Sequence, residues 1–171
     1  MDFMELAKAR YSVRKYDARP VEREKLDYIL RAGSIAPTAK NLQPQRIYVL
    51  QSENALKKIA ELTPCGFGAK TVLLFTYCVD EEWKNPLQEG VRSGVEDVSI
   101  VATHVMLAAA SLGLGTCWVN FFANRRLDEE LGIPGNERSV LLMPVGYPAA
   151  DSVPSAMHEK CRPLSETVRY L

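Results

Sequence analysis

Residues 87–112, LQEGVRSGVEDVSIVATHVMLAAASL, carry the longest apolar pattern in the chain. Val91, Val95, Val98, Ala102, Val105, Ala109 and Leu112 recur at alternating steps of four and three, the spacing of a packing seam along one helix. Beyond Val98 the other faces are apolar as well, with Ile100, Val101, Met106, Leu107, Ala108 and Ala110, so a helix over 87–112 has no wet side. Such a helix is central to the fold or shared with a second subunit.

Outward from this segment, helices alternate with short apolar strands. Glu22 to Ala32 reads as a helix with Leu26, Ile29 and Leu30 on one face and Gly33 as its stop. Ile47 to Leu50 is strand-like, Ser52 caps a helix reaching Leu62, and Thr71 to Val79 is a β-rich apolar run suited to a buried central strand. On the C-terminal side Gly113 and Gly115 end the long helix. Thr116 to Val119 resumes as a strand, Leu127 to Leu131 sits in a short helix, and Ser139 to Val145 forms a last buried strand. No repeat, low-complexity tract or linker interrupts this order, so residues 1–171 are read as one domain.

Lysine plus arginine and aspartate plus glutamate both number 21, a balance that leaves no electrostatic footprint for nucleic acid or an anionic membrane. No apolar run reaches the roughly 20 residues of a membrane span. Met1-Asp2-Phe3-Met4-Glu5 opens as a helix with Asp2 and Glu5 placed for a capping box, unlike a cationic signal peptide. Cys65, Cys78, Cys117 and Cys161 lie far apart, with no Cys-x-x-Cys pair and no histidine at ligand spacing, which argues against a metal site. They read as reduced thiols, three of them buried, and with no Asn-x-Ser/Thr sequon the expectation is a cytoplasmic protein.

Several familiar motifs are missing from the sequence. Gly113-Leu114-Gly115 lacks a third glycine and follows a helix, so it is no dinucleotide fingerprint. Gly68-Ala69-Lys70-Thr71 is out of step with a phosphate loop, which needs adjacent glycine and lysine. The histidines are His104, read as a satisfied core residue, and His158 near the C-terminus. No nucleophile stands with an attendant base, and an enzyme of that kind delegates its chemistry to a cofactor.

Four segments point to such a cofactor. Residues 10–16, Arg-Tyr-Ser-Val-Arg-Lys-Tyr, put Arg10, Ser12 and Arg14 at alternate positions. In an extended chain these three converge on one side while Tyr11 and Val13 face the other, an arrangement suited to phosphate oxygens. A solvated basic turn is the competing reading. Residues 36–44, Ala-Pro-Thr-Ala-Lys-Asn-Leu-Gln-Pro, form a rigid polar loop, or simply a helix-to-strand connection. In residues 113–122, Gly-Leu-Gly-Thr-Cys-Trp-Val-Asn-Phe-Phe, a glycine break precedes aromatic side chains, which a helix cap and core aromatics would also explain. Lys160-Cys161-Arg162-Pro163-Leu164 adds two cations at alternate positions, or a surface tail.

In this order and spacing the four segments resemble the nitroreductase family of flavoproteins, from about Phe3 to Tyr170. The family shows an Arg-x-Ser-x-Arg start, an Ala-Pro-Ser/Thr-Ala-x-Asn-x-Gln-Pro loop, a Gly-Leu-Gly-Thr-Cys-Trp turn after a long helix, and a basic pair before Pro-Leu. The resemblance implies an α+β fold, a mainly antiparallel sheet of about four strands flanked by helices, closed as a homodimer on the long helix. It also implies FMN as cofactor, with phosphate held by Arg10, Ser12, Arg14, Lys160 and Arg162. Pro37, Thr38, Ala39, Asn41 and Gln43 would meet the flavin from the partner subunit, and Trp118, Val119, Asn120 and Phe121 would line it, with backbone at Asn120 and Phe121 near flavin N5. No side chain is implied as catalytic and no metal is involved.

The implied activity is transfer of a hydride from NADH or NADPH through flavin N5 to an electron-poor small molecule, such as a nitroaromatic or quinone, in a ping-pong cycle. Alternatives are a flavin-dependent dehydrogenase or synthase with a specialised substrate, and a non-catalytic flavin-binding or redox-sensing module. The chain also departs from the family pattern. Gln45 stands where many members carry tryptophan after the Gln43-Pro44 pair, and Asp80 to Glu96 is too short for a lid, so an open pocket is expected. Backbone near Cys65 and Gly66 is the candidate contact for the flavin pyrimidine.

Overall fold

The computed structural model describes residues 2–171. The elements are α1 (Phe3–Ala9), α2 (Arg23–Ser34), β1 (Gln45–Leu50), α3 (Glu53–Leu62), β2 (Thr71–Cys78), α4 (Gly94–Ser111), β3 (Gly115–Thr116), α5 (Asn124–Leu131), β4 (Glu137–Gly146) and α6 (Leu164–Thr167). The four strands form one antiparallel sheet in the order β1-β2-β4-β3. This is the α+β architecture anticipated from the sequence.

Both faces of the sheet are covered. Leu73, Phe75, Leu141, Met143 and Val145 point towards α2 and α4, where they meet Leu26, Ile29, Val98, Val101, Val105 and Ala109. Val72, Leu74 and Leu142 point the other way, onto Ile59 of α3 and Leu127 of α5. That alternation explains why β2 reads as an uninterrupted apolar run: a strand buried on both sides has no solvent face to encode.

The capping signals act as expected. Asp2 and Glu5 exchange backbone-to-carboxylate hydrogen bonds of 2.9 and 3.1 Å around the start of α1, and the Ser52 hydroxyl accepts from the Ala55 N–H at 3.2 Å.

The long helix differs from its sequence reading in where it begins. It starts at Gly94, because residues 84–92 instead fold into a small loop closed by an Lys84–Arg92 bridge. Glu82, only 5% exposed, supplies the start signal that periodicity could not show. Its carboxylate accepts from the Gly94 N–H at 3.2 Å and from Arg92 at 3.0 Å, placing negative charge at the positive end of the helix dipole. Its seam takes the central place, one of the two that the sequence left open: Val98, Ala102, Val105 and Ala109 are fully buried within the protomer. The apolar residues left exposed on α4 are Val95 and Ile100, with Met106, Leu107, Ala108 and Ala110 half-buried.

Gly33 likewise does not stop α2, which continues through Ser34. A Cβ there would lie 2.8 Å from Val105 Cγ2 and 3.3 Å from Val101 Cγ1, so the glycine serves close approach of α2 to α4. The four cysteines are free, with Cys78 and Cys117 buried, Cys65 intermediate and Cys161 exposed. That makes two buried thiols instead of three. His104 is half-buried, and its Nδ1 lies 2.9 Å from the Ile100 carbonyl. No helix among the described residues is long and apolar enough to cross a membrane.

The two-sided burial generates a test. Leu73→Ala and Leu74→Ala, on opposite faces, should each cost about 2–5 kcal/mol in urea unfolding. A sheet with one wet face would lose stability at one of the two positions only.

Candidate functional site

The clamp residues lie where α1 ends. Arg10, the C-cap, is already extended (φ −66°, ψ 127°), and the chain then runs beside β3. Ser12 bridges Thr116 in parallel, and the Val13 N–H donates to the Thr116 carbonyl at 2.9 Å. Val13 is 1% exposed, sealed against Gly115, where a Cβ would fall 2.4 Å from Val13 Cγ2. Burial of that one valine turns the alternate residues outward. Arg10, Ser12 and Arg14 accordingly line one cavity of about 260 Å³.

Tyr11 does not turn away with Val13. It lines the same cavity, and its hydroxyl lies 3.3 Å from both the carbonyl and the hydroxyl of Ser152. The other walls come from Ser155, Met157 and His158 of the C-terminal segment, which is latched by a His158 Nε2 contact to the Lys8 carbonyl at 3.0 Å. Lys160 and Arg162 are exposed and do not line this cavity, and Arg162 faces Glu166 at 3.8 Å. The structure thus brings Arg10, Ser12 and Arg14 to one cavity, as their alternation suggested, and adds Ser155, Met157 and His158, which belong to no phosphate-binding pattern.

The segment after α4 joins the clamp directly. Gly113 adopts φ 73°, and the Leu114 N–H returns to the Ala109 carbonyl at 2.9 Å, which closes the helix and delivers Gly115 and Thr116 to the sheet edge. Burial pushes the Cys117 thiol up, and neighbouring Cys65 adds to the rise, against the opposing pull of Arg14, a Ser12 hydrogen bond and Arg10. Cys117 is thus a packed thiol behind the clamp whose surroundings favour the protonated form.

Further along, Val119 bridges Leu142. The Asn120 side chain holds this segment at both ends of its amide: its Oδ1 accepts from the Trp118 indole at 2.7 Å and its Nδ2 donates to the Val140 carbonyl at 2.8 Å. Val140 is the extra residue of a β-bulge, since Phe75 pairs with Leu141 and Thr76 with Ser139. Bulges of this kind re-aim groups beside functional sites. Among the described residues, the backbone N–H groups of Asn120 and Phe121 donate to no acceptor within the chain, and Phe121 is 73% exposed.

The turn at Pro64–Gly66 is tied to the same place. The Thr63 hydroxyl donates to the Phe121 carbonyl at 2.6 Å and accepts from the Cys65 N–H at 3.1 Å. Clamp, turn and Gly113–Phe122 segment thus form one continuous neighbourhood.

The loop containing Pro37, Thr38, Ala39, Asn41 and Gln43 lies elsewhere. Its Ala39 N–H donates to Asp97 near the start of α4 at 2.8 Å, whereas Thr116 follows the end of that helix. Asp97 and Leu112 are about 22 Å apart at the rise of an α-helix. The loop also feeds β1 and the clamp abuts β3, the two opposite edges of the sheet. Lys40, Asn41 and Gln43 adopt φ of 51°, 55° and 51°. For Lys40 and Gln43 this costs roughly 1–2 kcal/mol each, whereas asparagine tolerates the left-handed region better, and such strain clusters in functional loops. Beneath it, Gln45 Oε1 is buried without a hydrogen-bond partner.

The fold thus carries a cavity lined by two arginines and a serine, backbone donors without an acceptor in the chain and a polar loop with three left-handed residues, a set suited to a cofactor-dependent enzyme. A model of the nitroreductase family matches residues 7–67 and 63–147; the chain belongs to that family. A nitroreductase family protein of Clostridium difficile 630 is similar over 99% of this chain and 98% of its own, at 38% identity and a TM-score of 0.92. An FMN-dependent nitroreductase of Clostridium difficile R20291 matches 98% of each chain at 25% identity and a TM-score of 0.79. A provisionally named NADH dehydrogenase/NAD(P)H nitroreductase of Methanothermobacter thermautotrophicus is 33% identical over 154 residues, covering 87% of this chain and 78% of its own.

Gly115→Ala tests how the clamp is held. The added methyl must displace Val13, so it should cost about 1–3 kcal/mol in thermal or urea unfolding. Unchanged stability would mean that Val13 does not anchor the segment.

Proposed function

We propose that this chain is an FMN-dependent NAD(P)H oxidoreductase, working as a homodimer on electron-poor small molecules such as nitroaromatics or quinones, with donor and acceptor using one pocket in turn. The observation that carries it is the one cavity lined by Arg10, Ser12 and Arg14 together. That donor set fits a phosphate monoester in charge and fork geometry. The names borne by the R20291 and Methanothermobacter relatives point the same way.

Bound FMN would supply the two-electron chemistry, accepting a hydride from the nicotinamide and returning it to the acceptor. The chain's own residues bind and orient. Arg10, Ser12 and Arg14 hold the phosphate. Arg162, restrained only by an exposed i,i+4 pair of little energetic weight, is free to swing towards the clamp, as is exposed Lys160. The Asn120 and Phe121 N–H groups remain available to donate to the flavin edge, because the segment is held by the Asn120 side chain and by the Asn120 carbonyl, which accepts from the Phe122 N–H at 3.0 Å. Trp118 and Val119 form the wall behind them, and the Cys65–Gly66 turn borders the ring's pyrimidine side.

A two-chain site follows from the distance between clamp and loop. If Pro37, Thr38, Ala39, Asn41 and Gln43 also contact the flavin, they come from the partner, since one protomer keeps loop and clamp at opposite ends of α4. The exposed Val95 and Ile100 face offers the interface. Light scattering of the flavin-loaded protein should give a dimer, and a monomer that retains FMN would contradict this arrangement.

Purified protein should show the visible absorption bands of a flavin, bleached by NADH or NADPH. Arg14→Ala removes one charge-assisted contact and should weaken FMN by about one to two decades in fluorescence titration. Riboflavin, without the phosphate, should bind the native chain poorly and respond far less. Equal losses for the two ligands would refute the clamp assignment.

A further inference from the structure

We propose that Asp97 is a positioning residue that holds the Thr38–Gln43 loop in its ligand-facing shape, an inference that rests on the flavin oxidoreductase function proposed above. Asp97 is 2% exposed. One carboxylate oxygen accepts from the Ala39 N–H at 2.8 Å and the other from the Ser93 hydroxyl at 2.7 Å. A buried carboxylate is costly unless its lone pairs are used, and here they are used to join a loop to a helix.

The loop needs such an anchor. Its remaining hydrogen bonds are internal: the Asn41 N–H to the Thr38 carbonyl at 2.9 Å, the Leu42 N–H to the Ala39 carbonyl at 3.1 Å, the Gln43 N–H to the Thr38 hydroxyl at 3.1 Å, and Gln43 Nε2 to Asn41 Oδ1 at 3.0 Å. Among the described residues, the Ala39–Asp97 bond is the single hydrogen bond from residues 38–43 to the rest of the chain. Lys40, Asn41 and Gln43 are all left-handed, so a loop released from Asp97 relaxes towards conformations these residues prefer. Asn41 and Gln43, exposed and bonded to each other, lose their presentation when that happens. Strain of this kind persists only where the surroundings over-determine it, and a charge-assisted bond from a helix packed into the core does so.

The loop is expected to meet the flavin ring and not the phosphate, which separates Asp97 from the clamp. Asp97→Ala should weaken FMN and riboflavin equally, by roughly tenfold or more. Asp97→Asn keeps an acceptor for the Ala39 N–H and should restore both affinities to within about threefold of native. Ala39→Pro offers an independent route should the alanine variant fail to fold. Thr38 is extended (φ −132°, ψ 160°) and Ala39 opens a helical turn, positions that accept proline, and the substitution deletes only the N–H that Asp97 receives. It should reproduce the joint loss of both flavins, and hydrogen exchange at Asn41–Gln43 of the apoprotein should accelerate in both variants. Folded Asp97→Ala and Ala39→Pro variants that bind both flavins as the native chain does, or lose FMN alone, would overturn the assignment. A native chain that binds neither flavin would remove the oxidoreductase function and this role together, whereas native FMN binding with unaffected variants would remove only this role.

Discussion

Burial of one stripe of α4, from Val98 through Val101, Ala102 and Val105 to Ala109, sets the position of everything else in the molecule. These residues lie against Leu73, Phe75, Leu141 and Met143 on the sheet and against Leu26 and Ile29 of α2. Small residues at Ala102, Ala109 and Gly33 let the elements approach closely, and Gly33 has no room for even a methyl. With the helix immobilised, its two ends become fixed points: the first turns carry Asp97, and the last releases Gly113 into the segment that supports Val13. The polar loop and the cationic clamp are therefore two ends of one rigid body.

Polar satisfaction then decides which groups remain available for a ligand. Asn120 looks from its position like a candidate active-site amide, yet both ends of that amide are consumed by Trp118 and Val140. The bulge at Val140 lies where the sheet meets this segment, and Asn124 makes a parallel contact to the Ser139 carbonyl at 2.8 Å. Spending side chains on structure leaves the neighbouring main-chain N–H groups unspent. Backbone donors held this way cost no reorganisation when charge arrives beside them, which suits chemistry supplied by a cofactor.

Charge is handled by the same logic. Glu82, Asp97 and Glu137 are buried carboxylates, and each is surrounded by donors. Glu137 receives the Thr76 hydroxyl at 2.5 Å and the Tyr48 hydroxyl at 3.0 Å, and burial together with that contact pushes the Tyr48 phenol up to about 12. The arginines of the clamp have no such carboxylate partner in their cavity. The Arg14 guanidinium donates instead to the Ser12 carbonyl at 3.2 Å.

Local pattern by itself determined a good deal: the alternation of helices and strands, the two-sided burial of β2, the capping box at Asp2 and the N-cap at Ser52, and the outward turn of Arg10, Ser12 and Arg14. All of these depend on backbone periodicity or on hydrogen bonds between residues a few positions apart. Tertiary structure decided what depends on contacts distant in sequence. The start of α4 depends on Glu82 and on a loop closed between Lys84 and Arg92, so the periodic run from Leu87 misplaced it. Gly33 has the composition of a helix stop, but the approach of Val105, 72 positions later, gives it a different role. His158 reaches the clamp although 144 positions separate it from Arg14, and Lys160 does not line it although its charge made it the better candidate. Periodicity says which way a side chain faces its own element, whereas the neighbour it meets there is set by how the elements pack.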